Sequence, residues 1–387
     1  MKMKKTISTL LAVIMLLGLS AGTANAADPI SIVIDGNTVS AAVAPVVEDG
    51  RTLVPLRVIS EALGAAVSWN ASAQQATIET SAYTVVFTIG SANYTVNGAQ
   101  KTLDVSAKII DGSTMIPLRA FAESIDALVD FANNAVIIRY FSNIAGSIKV
   151  SGSTTVQPIM EAAARKLEEM NSGRLSITVA GGGSGAGMND TKSGANNIGM
   201  SSSSISAADR EIVEAFTIAK DAIAIIVHPS NPVNNLTQEQ VKAIFTGEIK
   251  NWNEVGGNNA PIIIHTRETG SGTLTTLEDL LLSKEKVVDR ATPYTSAELL
   301  KNAVARDQNG IGFDSIGFVD STVKALSLND VAPGATTVND GTYAASRSLY
   351  VFTRGVPGTM EAVIIDYLRS ADCQNNIVAK EGYVPLD

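Results

Sequence analysis

One stretch of the chain occurs twice. GRTLVPLR at 50–57 returns as GSTMIPLR at 112–119, which sets Pro55 and Pro117 62 residues apart. The likeness continues into VISEALGAAVSWNASAQQATI (58–78) and AFAESIDALVDFANNAVII (120–138). A repeat unit this small cannot bury its apolar face alone, so two copies must pack on each other. Each copy reads as strand, short helix, strand. In the second copy Phe121, Ile125 and Leu128 are expected to share a helix face. Between the copies, TVVFTIGSANYTVNG alternates and turns like paired strands. The expectation is a small α+β repeat domain over about 28–141.

Past a short junction, SNIAGSIKV (142–150), the pattern changes. Strand-like apolar runs now alternate with helix-like runs: IKVSGSTT leads into VQPIMEAAARKLEEM, and LSITVAGGGSG into AGMNDTKSG. Such alternation argues for α/β units with helices on a mainly parallel sheet. Ligands in that architecture sit where loops leave the carboxyl ends of strands. A chain of 387 residues has room for both parts.

Composition narrows the function. MKMKK, an apolar run from Leu10 to Leu19 and Ala24-Asn25-Ala26 follow the order of a secretory signal peptide, with cleavage expected after Ala26. No cysteine stands near that junction, so the expected product is secreted or held at the cell surface without a lipid anchor. Cys373 is the only cysteine; it forms no internal disulfide and is expected to be a small buried side chain. The formal charge is −9, and loss of Lys2, Lys4 and Lys5 takes it to −12. An acidic chain is a poor partner for nucleic acid, whose affinity rests on many Lys/Arg–phosphate contacts. It can still hold a small anion, because local N–H groups and one Arg outweigh a distant, screened field. The histidines are His228 and His265, both expected to be structural. No His/Cys cluster has metal-ligand spacing, and no cofactor is implied.

Four loops suit an anion. SGSTT (151–155) precedes a helix with Pro158 in its first turn. GGGSGAG (181–187) follows the strand SITVA. GMSSSSIS (199–206) follows NIG. HTRETGSGT (265–273) runs into TLTTLEDLLL, where Leu274, Leu277 and Leu281 mark a helix and Ser271 or Thr273 its N-cap. A helix start leaves N–H groups unpaired and favours negative charge. Hydroxyls donate to an oxyanion, and Arg267 adds a planar, permanently charged fork. Singly, each Gly-rich loop is more often just a turn. GGGSGAG lacks the closing Lys-Ser/Thr of a P-loop and the second Gly of a nucleophile elbow. As a set, the loops offer many hydroxyls, free backbone and one Arg.

The stretches SGSTTVQP, GGGSGAG, NPVNNLTQEQVKAIFTGEIKNWNEVGG, TRETGSGT, NGIGFDSIGFV, YAASRSLYVFTRG and EGYVPL make residues 147–387 resemble the phosphate-binding proteins of bacterial ABC phosphate importers, in their short Gram-positive form. The resemblance implies an α/β, two-lobed periplasmic-binding-protein-like (type II) fold. One lobe would hold about 147–222 and 346–387, the other about 223–345, with a hinge near KDAIAII and RSLYVF. It implies phosphate held between the lobes by Ser153, Thr154, Thr155, Ser184, Ser202, Arg267, Ser271, Gly272 and Thr273. It also implies a membrane permease as partner. The long IFTGEIKNWNEVGG block is implied to be structural.

The third loop departs from the family pattern. Many members carry an Asp or a Ser-Arg pair there; this chain has Ser201-Ser202-Ser203, with Ser202 at the ligand position. A carboxylate accepts the proton of hydrogenphosphate and repels sulfate, whereas a hydroxyl imposes no charge penalty on sulfate. This loop therefore leaves the two anions undiscriminated. Asn197 stands where an Asp is common, and Glu268 follows Arg267 as its neighbour.

VPLRVISEALGAAVSW and MIPLRAFAES make residues 28–141 resemble the copper amine oxidase N-terminal-like domain of secreted Gram-positive proteins. The segment has no His, so copper binding has no support in it. Exposed Arg57 and Arg119 are expected at strand-to-helix turns, and the analogy suggests association with the cell wall. Three functions follow from the sequence: an exported phosphate-binding protein of an ABC importer; a secreted or wall-associated oxyanion scavenger, sensor or adhesin; and a phosphatase. The last needs a nucleophile with a base in reach, or metals, and no such spacing stands out, so the chain is read as a non-enzyme.

Overall fold

The computed structural model describes residues 29–386 apart from 35–36, 81–82, 126, 133, 140–143 and 172. The expected signal segment, 1–26, lies outside the described residues.

The repeated motif pairs with itself. Strands Arg51–Pro55 and Ser113–Pro117 run antiparallel, with Val54 against Ile116, Pro55 against Met115 and Pro117 against Leu53. Both prolines end their strands, where no ladder N–H is required of them, and each leads straight into a seven-residue helix, Leu56–Ala62 or Leu118–Ser124. Strands Ala66–Asn70 and Leu128–Ala132 follow, as the repeat predicts. Phe121 and Ile125 are buried in the shared core. Leu128 does not share their helix face: Ala127 N–H returns to Ala122 O at 2.9 Å, the helix stops, and Leu128 opens a strand. The alternating stretch forms strands Thr84–Thr88 and Asn93–Val96, with Phe87 and Tyr94 stacked at 5.1 Å.

The remainder is built on one continuous path of hydrogen-bonded strands. Leu175–Gly182, Gly146–Gly152 and Ile198–Ser201 are parallel and carry three of the four loops at their carboxyl ends. The long strand Val213–Val227 and the returning strand Ser346–Arg354 pair antiparallel through the middle. Its far half pairs with Gly310–Ser315, which lies parallel to Ile263–Arg267, the strand that carries the fourth loop. The loop-bearing strands are thus parallel, as expected, and the two crossing strands make the sheet mixed.

Two cores flank those crossing strands. One unites Ile148, Val150, Ile159, Met160 and Leu167 with Val351, Ile364 and Tyr367 from the end of the chain, and Cys373 is buried in it. The other contains Ile225, Phe245, Trp252, Leu277 and Phe313. Helix Gln157–Met170 shows how sequence places them: Pro158 fits its first turn, and Ile159, Met160, Ala163, Ala164 and Leu167 fall on one buried stripe. The IFTGEIKNWNEVGG block is structural, as implied. Within it Asn251 and Glu254 form a capping box, and buried Trp252 donates Nε1–H to Asn309 O at 2.9 Å. Among the described residues, no helix is long and apolar enough to cross a membrane.

Candidate functional site

The four loops meet at the seam between the two cores. Thr154 Oγ1 accepts a hydrogen bond from Arg267 Nη2 at 3.0 Å, and Thr155 Oγ1 lies 3.0 Å from Thr273 Oγ1. Gly185 N–H donates to Gly270 O at 3.0 Å. Ser184 Oγ accepts from Ser202 N–H at 3.1 Å, and Thr276 Oγ1 donates to Ser202 O at 3.2 Å. All of these except Ser184–Ser202 join one core's loops to the other's, so the molecule is in a closed arrangement.

Local sequence explains the close approach. Gly152 has φ +138°, and a Cβ there would meet Met200 O at 2.3 Å, so the first loop needs this glycine. Helix Ser184–Ser193 begins after Gly183, and helix Gly272–Leu280 after Ser271, whose Oγ accepts Leu274 N–H at 3.3 Å. Ser271 is therefore the N-cap, one of the two expected. Both helices start at the seam, turning first-turn N–H groups toward it. Ser153 Oγ accepts Thr155 N–H at 3.2 Å and fixes the first loop's turn. Tyr383, in the terminal EGYVPL, donates to Thr155 O at 2.6 Å and backs the same loop.

All nine expected residues are brought together, and the seven polar ones other than Thr154 are buried: Arg267 is 4% exposed, Thr155 and Thr273 1%. Gly272 is buried as well. Arg267 donates Nε–H to Tyr294 O at 3.1 Å and Nη2–H to Thr295 O at 3.1 Å. Burial lowers its pKa, and the charge of Asp314 counters that effect. Glu268 is exposed and does not form an ion pair with Arg267. Asn197 is structural: its side chain accepts Lys149 N–H at 2.9 Å and donates to Glu361 at 3.1 Å. His265 is buried, with Tyr294 Oη 3.2 Å from Nδ1 and Asp307 3.1 Å from Nε2.

Three further charged residues sit at the seam. Arg347, on strand Ser346–Arg354, donates Nη1–H to Ser202 O at 2.9 Å and to Thr273 Oγ1 at 3.1 Å. Its Nε–H and Nη2 reach Asp221 at 2.9 and 2.7 Å. Asp221 is fully buried and also accepts from Ser315 Oγ at 2.7 Å. Asp314 is 1% exposed, and burial raises its pKa to about 7 although Ser315 N–H, Arg267 and Arg347 pull it back. The sequence signal for the two acids was a charge at the edge of or within an apolar strand run, Asp221 in KDAIAII and Asp314 in GIGFDSIGF. Such a charge must be paired or neutralised.

Residues 142–369 match the PBP superfamily domain. The chain belongs to the PBP superfamily. Within it, a phosphate-binding protein of Bacillus subtilis is 33% identical over 248 residues, covering 62% of this chain and 81% of the relative. A phosphate-binding protein of Borreliella burgdorferi is 27% identical over 257 residues, covering 62% and 90%. Among solved structures, a Clostridium perfringens protein assigned as a phosphate ABC transporter substrate-binding protein, with bound phosphate, aligns with TM-score 0.60 at 33% identity, covering 62% of this chain and all of that one. An ABC-type phosphate transport receptor from Vibrio cholerae aligns with TM-score 0.54 at 32% identity over the same shares. Three of these four are binding proteins by name and the fourth a transport receptor. Ahead of the PBP superfamily domain, residues 33–139 match the copper amine oxidase N-terminal domain.

Proposed function

We propose that this chain captures inorganic phosphate between its two lobes and delivers it to an ABC phosphate importer. The observation that carries this reading is the buried seam where Arg267, two helix starts and the hydroxyls of Thr154, Thr155, Ser184, Ser202 and Thr273 converge from both sides. Such a site replaces water around an oxyanion with fixed donors. The relatives' names and the phosphate-bound neighbour support phosphate as that anion. Ser153, Ser271 and Gly272 shape the loops and helix start around it. Closure follows from differential binding: an anion that touches both lobes favours the closed form.

The lobes of this reading are about 147–222 with 346–387 and about 223–345, and the preceding domain spans about 28–141. The chain acts as a binding protein rather than a phosphatase, since the histidine nearest Arg267 is occupied on both ring nitrogens by Tyr294 and Asp307. Export by the 1–26 segment places it outside the membrane. The copper amine oxidase N-terminal domain favours a second use of the same site, as an oxyanion scavenger or sensor retained at the cell wall.

Calorimetric titration of ligand-stripped protein with phosphate tests the central claim. Arg267→Ala is expected to weaken binding by at least about 30-fold, the loss of a buried charge-assisted contact worth about 2–3 kcal/mol. Unchanged affinity in that variant would refute the site. Release of orthophosphate from phosphate esters by the pure protein would refute the non-enzymatic reading.

A further inference from the structure

One buried acid has no part in the capture site as described. Asp314 is the penultimate residue of the strand Gly310–Ser315, whose parallel neighbour Ile263–Arg267 ends on Arg267, and the two side chains lie in each other's field. On its other side, Asp314 lies opposite Ala224, which offers nothing polar. Asp314 Oδ1 accepts Ser315 N–H at 2.8 Å, while Oδ2 is buried without a hydrogen-bond partner.

The charged and titratable groups around it are Arg267, Arg347 and Asp221, with the Tyr383 phenol behind them. Arg347 is matched by Asp221. Arg267 donates its hydrogen bonds to Thr154, Tyr294 and Thr295. Asp314 is therefore not the ion-pair partner of either arginine, yet it sits in the field of both. An unpartnered buried oxygen is costly, and each one in a native structure calls for an explanation.

Resting on the phosphate-capture reading, we infer that Asp314 Oδ2 is the acceptor for the P–O–H proton of the bound anion, the part that Ser202 and Ser203 leave unfilled in the third loop. The specificity-determining carboxylate thus comes from the opposite lobe, on the strand next to Arg267. Hydrogenphosphate brings the proton that Oδ2 needs. Sulfate brings none, so its lone pairs face those of an ionised carboxylate. It enters only when Asp314 has first taken a proton from water. The Asp314 carboxyl gives up that proton near pH 7. Sulfate binding is accordingly expected to fall about tenfold per pH unit above that point, while hydrogenphosphate binding does not fall with it.

The test is calorimetry of the full secreted chain with phosphate and with sulfate between about pH 6 and pH 8.5. The preference for phosphate is expected to widen by about tenfold per pH unit above neutrality in the wild type. In Asp314→Asn, which keeps volume and shape, the preference is expected to narrow at least about tenfold and to stay flat with pH. A flat wild-type preference overturns the inference without any variant being made. Asp314→Asn retaining the wild-type widening overturns it as well. Either result leaves the capture reading standing if Arg267→Ala loses phosphate. A wild-type chain that takes up neither anion defeats the capture reading and this inference together.

Discussion

Gly272→Ala separates closure from folding. Gly272 is the first residue of helix Gly272–Leu280, where Ala is as good a helix former as any, so the backbone has no objection. The added Cβ would lie 2.3 Å from Ser184 Oγ and 2.8 Å from Ser202 Oγ, both on loops of the opposite lobe. Those contacts exist only when the lobes are together. Relieving such overlaps in a packed site costs about 1–3 kcal/mol, which corresponds to about 5- to 150-fold in affinity. The open form has no such overlap, so the ligand-free melting temperature is expected to stay within about 1 °C of wild type. Gly185→Ala gives an internal scale. Its Cβ would approach Gly270 Cα at 3.3 Å, a milder contact across the same seam, and less than tenfold loss is expected. Titration calorimetry and thermal melts on the three proteins provide both readouts. A melting temperature that falls in step with affinity would refute the closure argument, as would a Gly272→Ala protein that binds phosphate like the wild type.

Two further outcomes follow from the buried charges. Arg347→Ala leaves fully buried Asp221 without its ion-pair partner and is expected to cost about 3–5 kcal/mol by chemical denaturation, whereas Arg347→Met with Asp221→Asn costs less; a single-variant loss under about 1 kcal/mol would refute this. Because burial raises the Asp314 carboxyl to about 7, the folded state holds a proton there that the unfolded chain has already released. Its contribution to stability is fully present below about pH 4 and is lost as pH rises to about 7. The melting temperature of ligand-free Asp314→Asn relative to wild type should therefore climb between those values, and a pH-independent difference would contradict the assignment.

The sequence revealed the site's loops because each carries its signature locally. Ser271 caps the helix it precedes, Gly152 and Gly183 supply positive φ, and the paired VPLR and IPLR motifs predict their own association. Arg347 escaped because its partners are remote along the chain: Ser202 and Thr273 are 145 and 74 residues away, and only the pairing of two long antiparallel strands brings them together. Asp314 was hidden for a related reason. Within GIGFDSIGF its charge interrupts an apolar run, but the neighbour that gives it meaning, Arg267, belongs to a separate strand brought alongside by the sheet register. Leu128 shows the opposite failure, a periodic pattern extended past the point where a backbone hydrogen bond had ended the helix.

The two cores also set an order of assembly. The core containing Phe245 and Trp252 draws almost entirely on one continuous run of chain, from Ala222 to Ala345, with Val384 its one later member among the described residues. The core containing Ile148 needs Leu349, Ile364 and Tyr367, separated from its opening strand by some two hundred residues. Long-range closure is slow because its entropy must be met before any contact forms. A chain threaded outward from its amino end would complete the uninterrupted lobe first. The other lobe would expose an unfinished apolar face until the last helix arrived, so truncation near the carboxyl end should abolish half of the binding site while sparing the other half's fold.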